Sequence, residues 1–224
     1  MLKSIVVLSI ALAASLQQGI VEEPAVMDAV SEQIAVVAAR PVDYGTVFAR
    51  DCFIGDSITG GLSYYGLLRE EQVISHLGFT LGKAATELDW VRENQPENIY
   101  LLFGANDLGP NVSDETFVEN YRALITALHA AAPQARIFAQ SVMPVTTREA
   151  KSRPYLSAGR LDELNRSLYQ MTLEEEANYV NIRKVLQIHA DEDLYEPDGL
   201  HFRSLFDRYW LDYLMEQTKK NRED

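Results

Sequence analysis

From residue 50 onward, short apolar segments alternate with longer segments in which apolar residues recur every three to four positions. Most of the short segments end close to a glycine or proline, as buried strands do, whereas the longer segments have the spacing of amphipathic helices. Strands and helices in alternation favour a parallel sheet with helices on both faces. The predicted strands cover residues 52–54, 72–77, 98–103, 135–141 and 179–182, and the predicted helices cover residues 84–94, 113–131, 158–177 and 204–217.

The helical pattern is clearest at residues 113–131. Ser113 stands where an N-cap belongs, and Asp114 and Glu115 suit the first turn because carboxylates interact favourably with the positive end of the helix dipole. In parallel sheets that are flanked by helices, ligands bind beyond the carboxyl ends of the strands. The residues that directly follow the predicted strands are therefore the candidates for chemistry. The apolar face of this helix comprises Phe117, Tyr121, Leu124, Ile125 and Leu128.

The N-terminal segment has the pattern of an export signal. Lys3 precedes an apolar run at residues 5–16 that is rich in small residues near its end, and this combination is typical of a secretory signal peptide. The run is shorter than the roughly 20 residues of a comfortable membrane span, and no cysteine follows it to carry a lipoprotein anchor. We therefore expect a secreted or cell-surface protein, with either a cleaved signal or an uncleaved anchor at 1–16.

The remaining chain divides into a spacer and one domain. Residues 17–45 are predicted to be a linker with some helical character, either a free spacer helix or one that packs on the domain. The 224 residues of the chain are enough for one full-sized hydrophobic core but too few for two, and this core is assigned to residues 46–224. We therefore predict a single α/β domain after the linker.

The charge balance narrows the possible partners. The chain has 20 basic and 33 acidic residues, a formal net charge of −13, which would repel nucleic acid and an anionic membrane surface. The acidic runs at 174–176 and 191–193 are interpreted as solvated faces and not as metal sites. Cys52 is the single cysteine, so neither an intrachain disulfide nor a multi-cysteine zinc site can form, and we expect it to be a small buried strand residue.

Two motifs follow predicted strands. In the first, Gly55-Asp56-Ser57-Ile58-Thr59, Ser57 is placed as a nucleophile at a strand-to-helix turn, with its own N–H at the positive end of the helix. The alternative is an ordinary helix cap. In the second, Gly104-Ala105-Asn106-Asp107, the Asn106 amide is placed to donate to a developing oxyanion. The alternative there is an ordinary polar turn.

A third motif lies near the C-terminus, where Asp198 and His201 are three residues apart on a turn after Pro197. At this spacing the carboxylate can accept the proton on one ring nitrogen, which leaves the other nitrogen free to take a proton from serine. The alternative is a loop that caps a helix. The other histidines lack such a partner in a turn-forming segment: His189 lies in the acidic stretch, and His76 and His129 are interpreted as structural.

Taken in order, these three motifs resemble those of the SGNH/GDSL hydrolase family. Ser57 matches the serine of the family's first block, Asn106 the asparagine of its third, and Asp198 and His201 its last. The resemblance covers about residues 50–215. It implies a three-layer α/β/α, flavodoxin-like parallel sheet of about five strands, and ester hydrolysis without a metal or organic cofactor.

The resemblance also implies an oxyanion hole made of the Ser57 N–H, a backbone N–H after the second strand, and the Asn106 side chain. After the second strand the family usually has Gly-x-x-Gly. This chain has Gly78-Phe79-Thr80-Leu81-Gly82, in which the two glycines are one residue farther apart. The donor is predicted to be Gly82 in a shifted loop, with Leu81 and Gly78 as alternatives. A backbone donor needs an allowed backbone conformation and not glycine as such.

Together these features predict a serine esterase that acts on a small-molecule or glycan ester, with short O-acyl or O-acetyl groups as the first choice. A lysophospholipase or thioesterase-type lipid esterase is the alternative, as is a catalytically idle glycan-binding module on the same fold. Tyr64 and Tyr65 either line a sugar or acyl pocket or pack on the sheet. A basic stretch is interpreted either as a surface for an anionic glycan or as a solvated loop; it contains Arg148, Lys151, Arg153 and Tyr155.

Overall fold

The computed structural model describes residues 42–220, so the predicted signal at 1–16 and nearly all of the predicted linker at 17–45 lie outside the described residues. Within the described range, five parallel strands form one sheet in the order β2-β1-β3-β4-β5. This confirms the predicted α/β fold and its parallel sheet. The strands are β1 (Asp51–Gly55), β2 (Val73–Ser75), β3 (Asn98–Leu102), β4 (Arg136–Gln140) and β5 (Asn178–Val180).

Helices cover both faces of this sheet because alternate side chains of each strand point to opposite sides. In β1, Cys52 and Ile54 pack into one hydrophobic cluster, and Phe53 packs into the other. The α-helices are α1 (Tyr44–Val47), α2 (Ser57–Tyr64), α3 (Leu81–Ala84), α4 (Asp89–Asn94), α5 (Asp114–Ala131), α6 (Thr147–Ser152), α7 (Ala158–Glu174), α8 (Arg183–Ile188) and α9 (Ser204–Lys220).

The strand order places β1 between β2 and β3, so the chain moves to one side of β1 and then to the other. Crossovers that leave a strand in opposite directions open a crevice at its carboxyl end. Ser57 begins α2 just after β1, at this crevice. The topology alone therefore identifies the end of β1 as the place where a ligand would bind.

The predicted helix at 84–94 is wrong, because the structure has two short helices there, α3 and α4. The N–H groups of Thr86 and Glu87 bond to carbonyls three residues earlier, and the Thr86 hydroxyl donates to the Lys83 carbonyl. These tighter bonds end α3, and the chain turns before α4 begins.

The basic stretch, for which a solvated loop was one of the two interpretations, is not a simple loop, since the segment contains α6 and a 3₁₀ turn at Pro154–Leu156. No residue of α6 is buried, so it carries no apolar stripe that periodicity could detect. The last strand, predicted at 179–182, lies instead at Asn178–Val180, because Ile182 already caps α8, which the sequence did not predict.

The N-terminal end of the described range packs on the last helix. Tyr44 is buried, and its hydroxyl donates to the Asp212 carboxylate in α9 at 2.9 Å. Asp43 caps α1 by accepting the Thr46 N–H at 3.1 Å. Among residues 42–220, no helix combines the length and apolar character that crossing a bilayer would require.

Candidate active site

The first predicted site residue, Ser57, is placed by the junction of β1 and α2. Asp56 adopts an extended backbone, and its carboxylate accepts the Ile58 N–H at 2.9 Å, which starts the helix at Ser57. Burial raises the pKa of Asp56 to about 7, against the lowering effect of that backbone hydrogen bond. Asp56 is thus a buried cap that fixes the start of the helix at Ser57.

Two short hydrogen bonds join Ser57 to His201 and His201 to Asp198. The Ser57 hydroxyl lies 2.9 Å from His201 Nε2, and His201 Nδ1 lies 2.6 Å from the Asp198 carboxylate. A carboxylate only accepts, so the Nδ1 position carries the proton and Nε2 is left to accept from the serine. The structure therefore brings together the three side chains that the sequence singled out, in the order that proton transfer from serine requires.

The turn at 198–201 holds the carboxylate in place. One oxygen of Asp198 accepts the N–H groups of Leu200 and His201, at 2.9 and 3.0 Å, while the other faces the imidazole. Burial opposes ionisation here, but these hydrogen bonds outweigh it and lower the pKa of Asp198 to about 2. The group is a carboxylate at any pH at which the protein would be assayed.

The basic stretch and the residues just before it in the chain hold this turn from the outside. The Thr146 N–H donates to the Gly199 carbonyl at 2.9 Å, and the Arg148 guanidinium donates to the carbonyl of Pro197. The Tyr195 hydroxyl donates to the Pro144 carbonyl at 3.0 Å. Gly199 has φ of 75°, and a Cβ there would clash with the Thr146 side chain, so glycine is required by both conformation and space.

The loops after β2 and β3 are tied to each other by the predicted oxyanion motifs. Asn106 donates from its side-chain amide to the Phe79 carbonyl at 3.2 Å, and Asp107 accepts the Leu81 N–H at 2.8 Å. Burial raises the pKa of Asp107 to about 6, although backbone hydrogen bonds, including the one from Leu81, act to lower it.

This arrangement distinguishes the alternative backbone donors. The Leu81 N–H is already occupied by Asp107, whereas the Gly82 N–H has no hydrogen-bond partner among the described residues. Gly82 is the second residue of α3, where an N–H has no partner within the helix. The space around its Cα is also open. Of these two N–H groups, that of Gly82 is therefore the one still available to bind a ligand.

A cavity of about 340 Å³ opens beside Ser57 and His201. Its walls come from α2, from the end of β2, and from the segment that runs from Glu196 into α9. Tyr64 and Tyr65 line it, whereas none of the four residues of the predicted basic patch does. Two arginines of the basic stretch bind elsewhere in the protein. Arg148 donates to the Pro197 carbonyl, and Arg153 forms an ion pair with Glu149 at 2.8 Å.

A sequence model of the GDSL-like lipase/acylhydrolase family matches residues 53–205, which is more than half of the 224 residues. The chain belongs to the GDSL-like lipase/acylhydrolase family. The match includes Ser57, Asn106, Asp198 and His201, and the resemblance drawn from the motifs is confirmed. Membership makes this protein a hydrolase of ester bonds.

Solved structures share the fold of this GDSL-like hydrolase. A GDSL-like lipase from Bacteroides thetaiotaomicron is 15% identical with a TM-score of 0.60, covering 85% of this chain and 97% of its own. A lipase/acylhydrolase from Enterococcus faecalis is 18% identical with a TM-score of 0.57, covering 77% and 96%. A family 3 carbohydrate esterase from Talaromyces cellulolyticus is 16% identical with a TM-score of 0.57, covering 77% and 97%. No curated protein matches the chain.

Sequence reasoning missed three residues of this GDSL-like site. Asp107 was visible beside Asn106, but its bond to the Leu81 N–H depends on how two loops meet. Arg148 was noted for its charge, and only the structure shows it bound to the carbonyl before Asp198. Asp207, in the first turn of α9, carried no sequence signal, although it lines the cavity.

Among the described residues, no cluster of histidine, cysteine or carboxylate side chains has the arrangement of a metal site.

Proposed function

We propose that this GDSL-like hydrolase is a serine esterase with Ser57 as nucleophile, His201 as general base and acid, and Asp198 as the group that orients the imidazole. The observation that carries the proposal is the pair of hydrogen bonds from Ser57 to His201 and from His201 to Asp198, at 2.9 and 2.6 Å. His201 takes the serine proton as the hydroxyl attacks the ester carbonyl, and then gives that proton to the departing alcohol. Water repeats the two steps on the acyl-enzyme.

The oxyanion of the tetrahedral intermediate is proposed to accept from the Ser57 N–H, the Gly82 N–H and the Asn106 side chain. The Asn106 amide has two hydrogens, and its bond to the Phe79 carbonyl uses one of them, so the second remains for the substrate. Each such donor lowers the barrier by about 3 kcal/mol. By anchoring Leu81, Asp107 holds the first turn of α3 and with it the Gly82 N–H.

The acyl group is proposed to be short, such as acetyl, on a small-molecule or glycan alcohol. The neighbouring folds include an acetyl esterase and family 3 carbohydrate esterases, but at identities of 15–16% they support the fold alone. The apolar run at 5–16 supports action outside the cytoplasm, with a cell-envelope or extracellular glycan ester as the corresponding substrate.

A lipid ester is the second candidate, and the rim of the cavity is the observation in its favour. The side chains of Leu77 and Tyr64 are 92% and 83% exposed beside the cavity. Exposed apolar groups at the mouth of a site can contact an acyl chain. Hydrolysis rates for a series of p-nitrophenyl esters separate the two: short acyl groups are expected to be preferred, and a preference for eight carbons or more would favour the lipid ester.

Hydrolysis of p-nitrophenyl acetate by the wild type, Ser57→Ala and Ser63→Ala tests the nucleophile. Ser63 lies on the same helix, and its hydroxyl donates to the Gly60 carbonyl at 3.3 Å, so it is a matched control. We expect Ser57→Ala to lose activity to background and Ser63→Ala to retain it. Labelling with a fluorophosphonate and peptide mapping should place the label on Ser57. A wild-type rate equal to that of Ser57→Ala would favour an idle binding module, and a label on another residue would overturn the assignment.

A further inference from the structure

One side of the cavity beside Ser57 and His201 combines aromatic rings with a carboxylate. The rings of Tyr64 and Tyr65 lie with their centroids 5.1 Å apart at 75°, and the Tyr65 hydroxyl donates to the Glu196 carboxylate at 3.3 Å. Tyr64 is 83% exposed, so its ring is not used in packing the core. An exposed aromatic face next to a hydrogen-bonding acid suits a ligand that has both C–H surface and hydroxyl groups.

The inner wall of the same cavity is shaped by two glycines of α2. A Cβ on Gly60 would lie 2.6 Å from the Ser75 hydroxyl, and one on Gly61 would lie 3.0 Å from the Asp207 carboxyl. The missing side chains therefore let two polar groups, one from the end of β2 and one from α9, come up against the helix.

Asp207 is the more deeply buried of these two polar groups. It is 1% exposed, and its Oδ2 atom has no hydrogen-bond partner among the described residues. Burial raises the pKa of Asp207 to about 8, so at neutral pH it is mainly an uncharged acid that can donate one hydrogen bond and accept others. A buried polar group without a partner costs free energy, and a ligand hydroxyl in the cavity would supply the partner.

The charges around the cavity select against an anionic ligand. Its lining includes Glu196 and Asp207 but neither lysine nor arginine, so a carboxylate or phosphate there would find no cation and would face Glu196. The remaining ionisable groups in the lining are His76, His201 and the two tyrosines. A neutral, hydroxyl-bearing ligand fits this set best.

The position of the cavity assigns it to one half of the ester. It is lined by His201 and Phe202, whereas Gly82 and Asn106, the proposed oxyanion donors, do not line it. The alcohol oxygen must lie next to His201 to receive its proton, so the alcohol half lies on this side of Ser57. A cavity of about 340 Å³ is also far larger than an acetyl group and falls in the size range of small-molecule pockets.

We propose that this cavity binds the alcohol half of the ester as a neutral sugar, with the ring packed on Tyr64 and hydroxyls bonded to Glu196 and Asp207. The inference rests on the proposed esterase activity, because that activity defines which half of the ester lies beside His201. It names the sugar-binding residues, which neither the family nor the triad specifies.

The test keeps the acyl group constant and changes only the alcohol. The two substrates are methyl glucoside acetylated on its primary hydroxyl and cyclohexylmethyl acetate, which has a ring of the same size without hydroxyls. The wild type should favour the sugar ester by about tenfold or more in kcat/KM, since a site built to bond hydroxyls discriminates against a ligand that lacks them. Tyr64→Ala and Asp207→Leu should each reduce this preference several-fold, mainly through KM.

Two variants act as controls. Tyr169→Ala removes another exposed tyrosine, on α7 outside the cavity, and should keep the wild-type preference. Asp207→Asn keeps a neutral side chain that can donate, so it should lose less of the preference than Asp207→Leu. An equal or greater rate on cyclohexylmethyl acetate, or a preference that survives in both Tyr64→Ala and Asp207→Leu, would overturn the sugar subsite.

Binding separates failure of the subsite from failure of the catalytic proposal. Calorimetric titration of Ser57→Ala with the acetylated glucoside should show binding that is weakened in the double variants carrying Tyr64→Ala or Asp207→Leu. If the wild type hydrolyses neither ester but Ser57→Ala binds the sugar ester in this way, the esterase proposal fails and the sugar site stands. If the wild type hydrolyses both esters but the titration shows no dependence on Tyr64 or Asp207, the sugar site fails alone.

Discussion

Replacing Asp207 by asparagine should stabilise the protein, and the gain should increase with pH. The pKa of Asp207 rises from the 3.8 of an exposed aspartate to about 8 because the carboxyl is buried. Between these values the unfolded chain has released the proton and the folded chain still holds it, so raising the pH favours unfolding. Asparagine does not titrate, and the variant is free of this penalty.

The slope of the effect is set by the single proton involved. Each pH unit within the window changes the difference in unfolding free energy between Asp207→Asn and the wild type by about 1.4 kcal/mol. From pH 5 to pH 7 the variant should therefore gain about 3 kcal/mol relative to the wild type. The ionisable groups that share the cavity, His76, Tyr64, Tyr65, Glu196 and His201, are present in both proteins, so their own titration largely cancels in the difference.

Urea unfolding at pH 5, 6 and 7, followed by the fluorescence of Trp90 and Trp210, measures this difference. Trp210 is fully buried in the same helix as Asp207. Asp207→Leu gives an internal control, because the difference between the two variants should not depend on pH. A free-energy difference between wild type and Asp207→Asn that stays constant from pH 5 to 7 would refute the reasoning, since it would mean that the folded protein holds Asp207 ionised.

Three further substitutions test the site itself. Asp198→Asn should lower kcat by about 10⁴-fold at neutral pH, because the imidazole loses the acceptor that fixes its tautomer; a loss below tenfold in initial-rate assays would show that Asp198 does not orient His201. Asn106→Ala should lower kcat by about 10²- to 10³-fold, as expected for one oxyanion donor, with KM nearly unchanged, and a change confined to KM would contradict that role. Gly199→Ala should destabilise the fold by about 1–3 kcal/mol and reduce kcat by displacing the Asp198 turn from Thr146; an unchanged melting temperature would count against the clash.

Much of the fold could be predicted locally. The alternation of short apolar and longer amphipathic segments correctly indicated five parallel strands, because burial on both faces forces an apolar run wherever a strand crosses the core. The Ser113 cap of α5 was also visible, and its hydroxyl accepts the Thr116 N–H at 3.1 Å. The prediction failed at 84–94 and at α6, where hydrogen bonds within single turns, and not an apolar stripe, set the helix ends.

The sequence identified the main residues of the candidate site but not all the contacts that hold them. The chain order of motifs identified Ser57, Asn106, Asp198 and His201, because the carboxyl ends of parallel strands, with the loops attached to them, lie at one edge of the sheet. Their catalytic roles stay predictions. Three features depend on the packed molecule: the bond to Asp107 that occupies the Leu81 N–H and not that of Gly82, the support of the 198–201 turn by Arg148, and the burial that raises the pKa of Asp207.

Some features could be predicted and others could not because they depend on residues at different separations along the chain. Strand and helix preferences, turns and caps depend on neighbours a few residues away, so the local amino-acid sequence determines them. The contact between Ser57 and His201 spans 144 residues, and the protonation of Asp207 depends on how distant segments pack around it. Such properties arise only when the whole chain has packed, because burial and hydrogen-bond geometry belong to the assembled surroundings and not to any one segment.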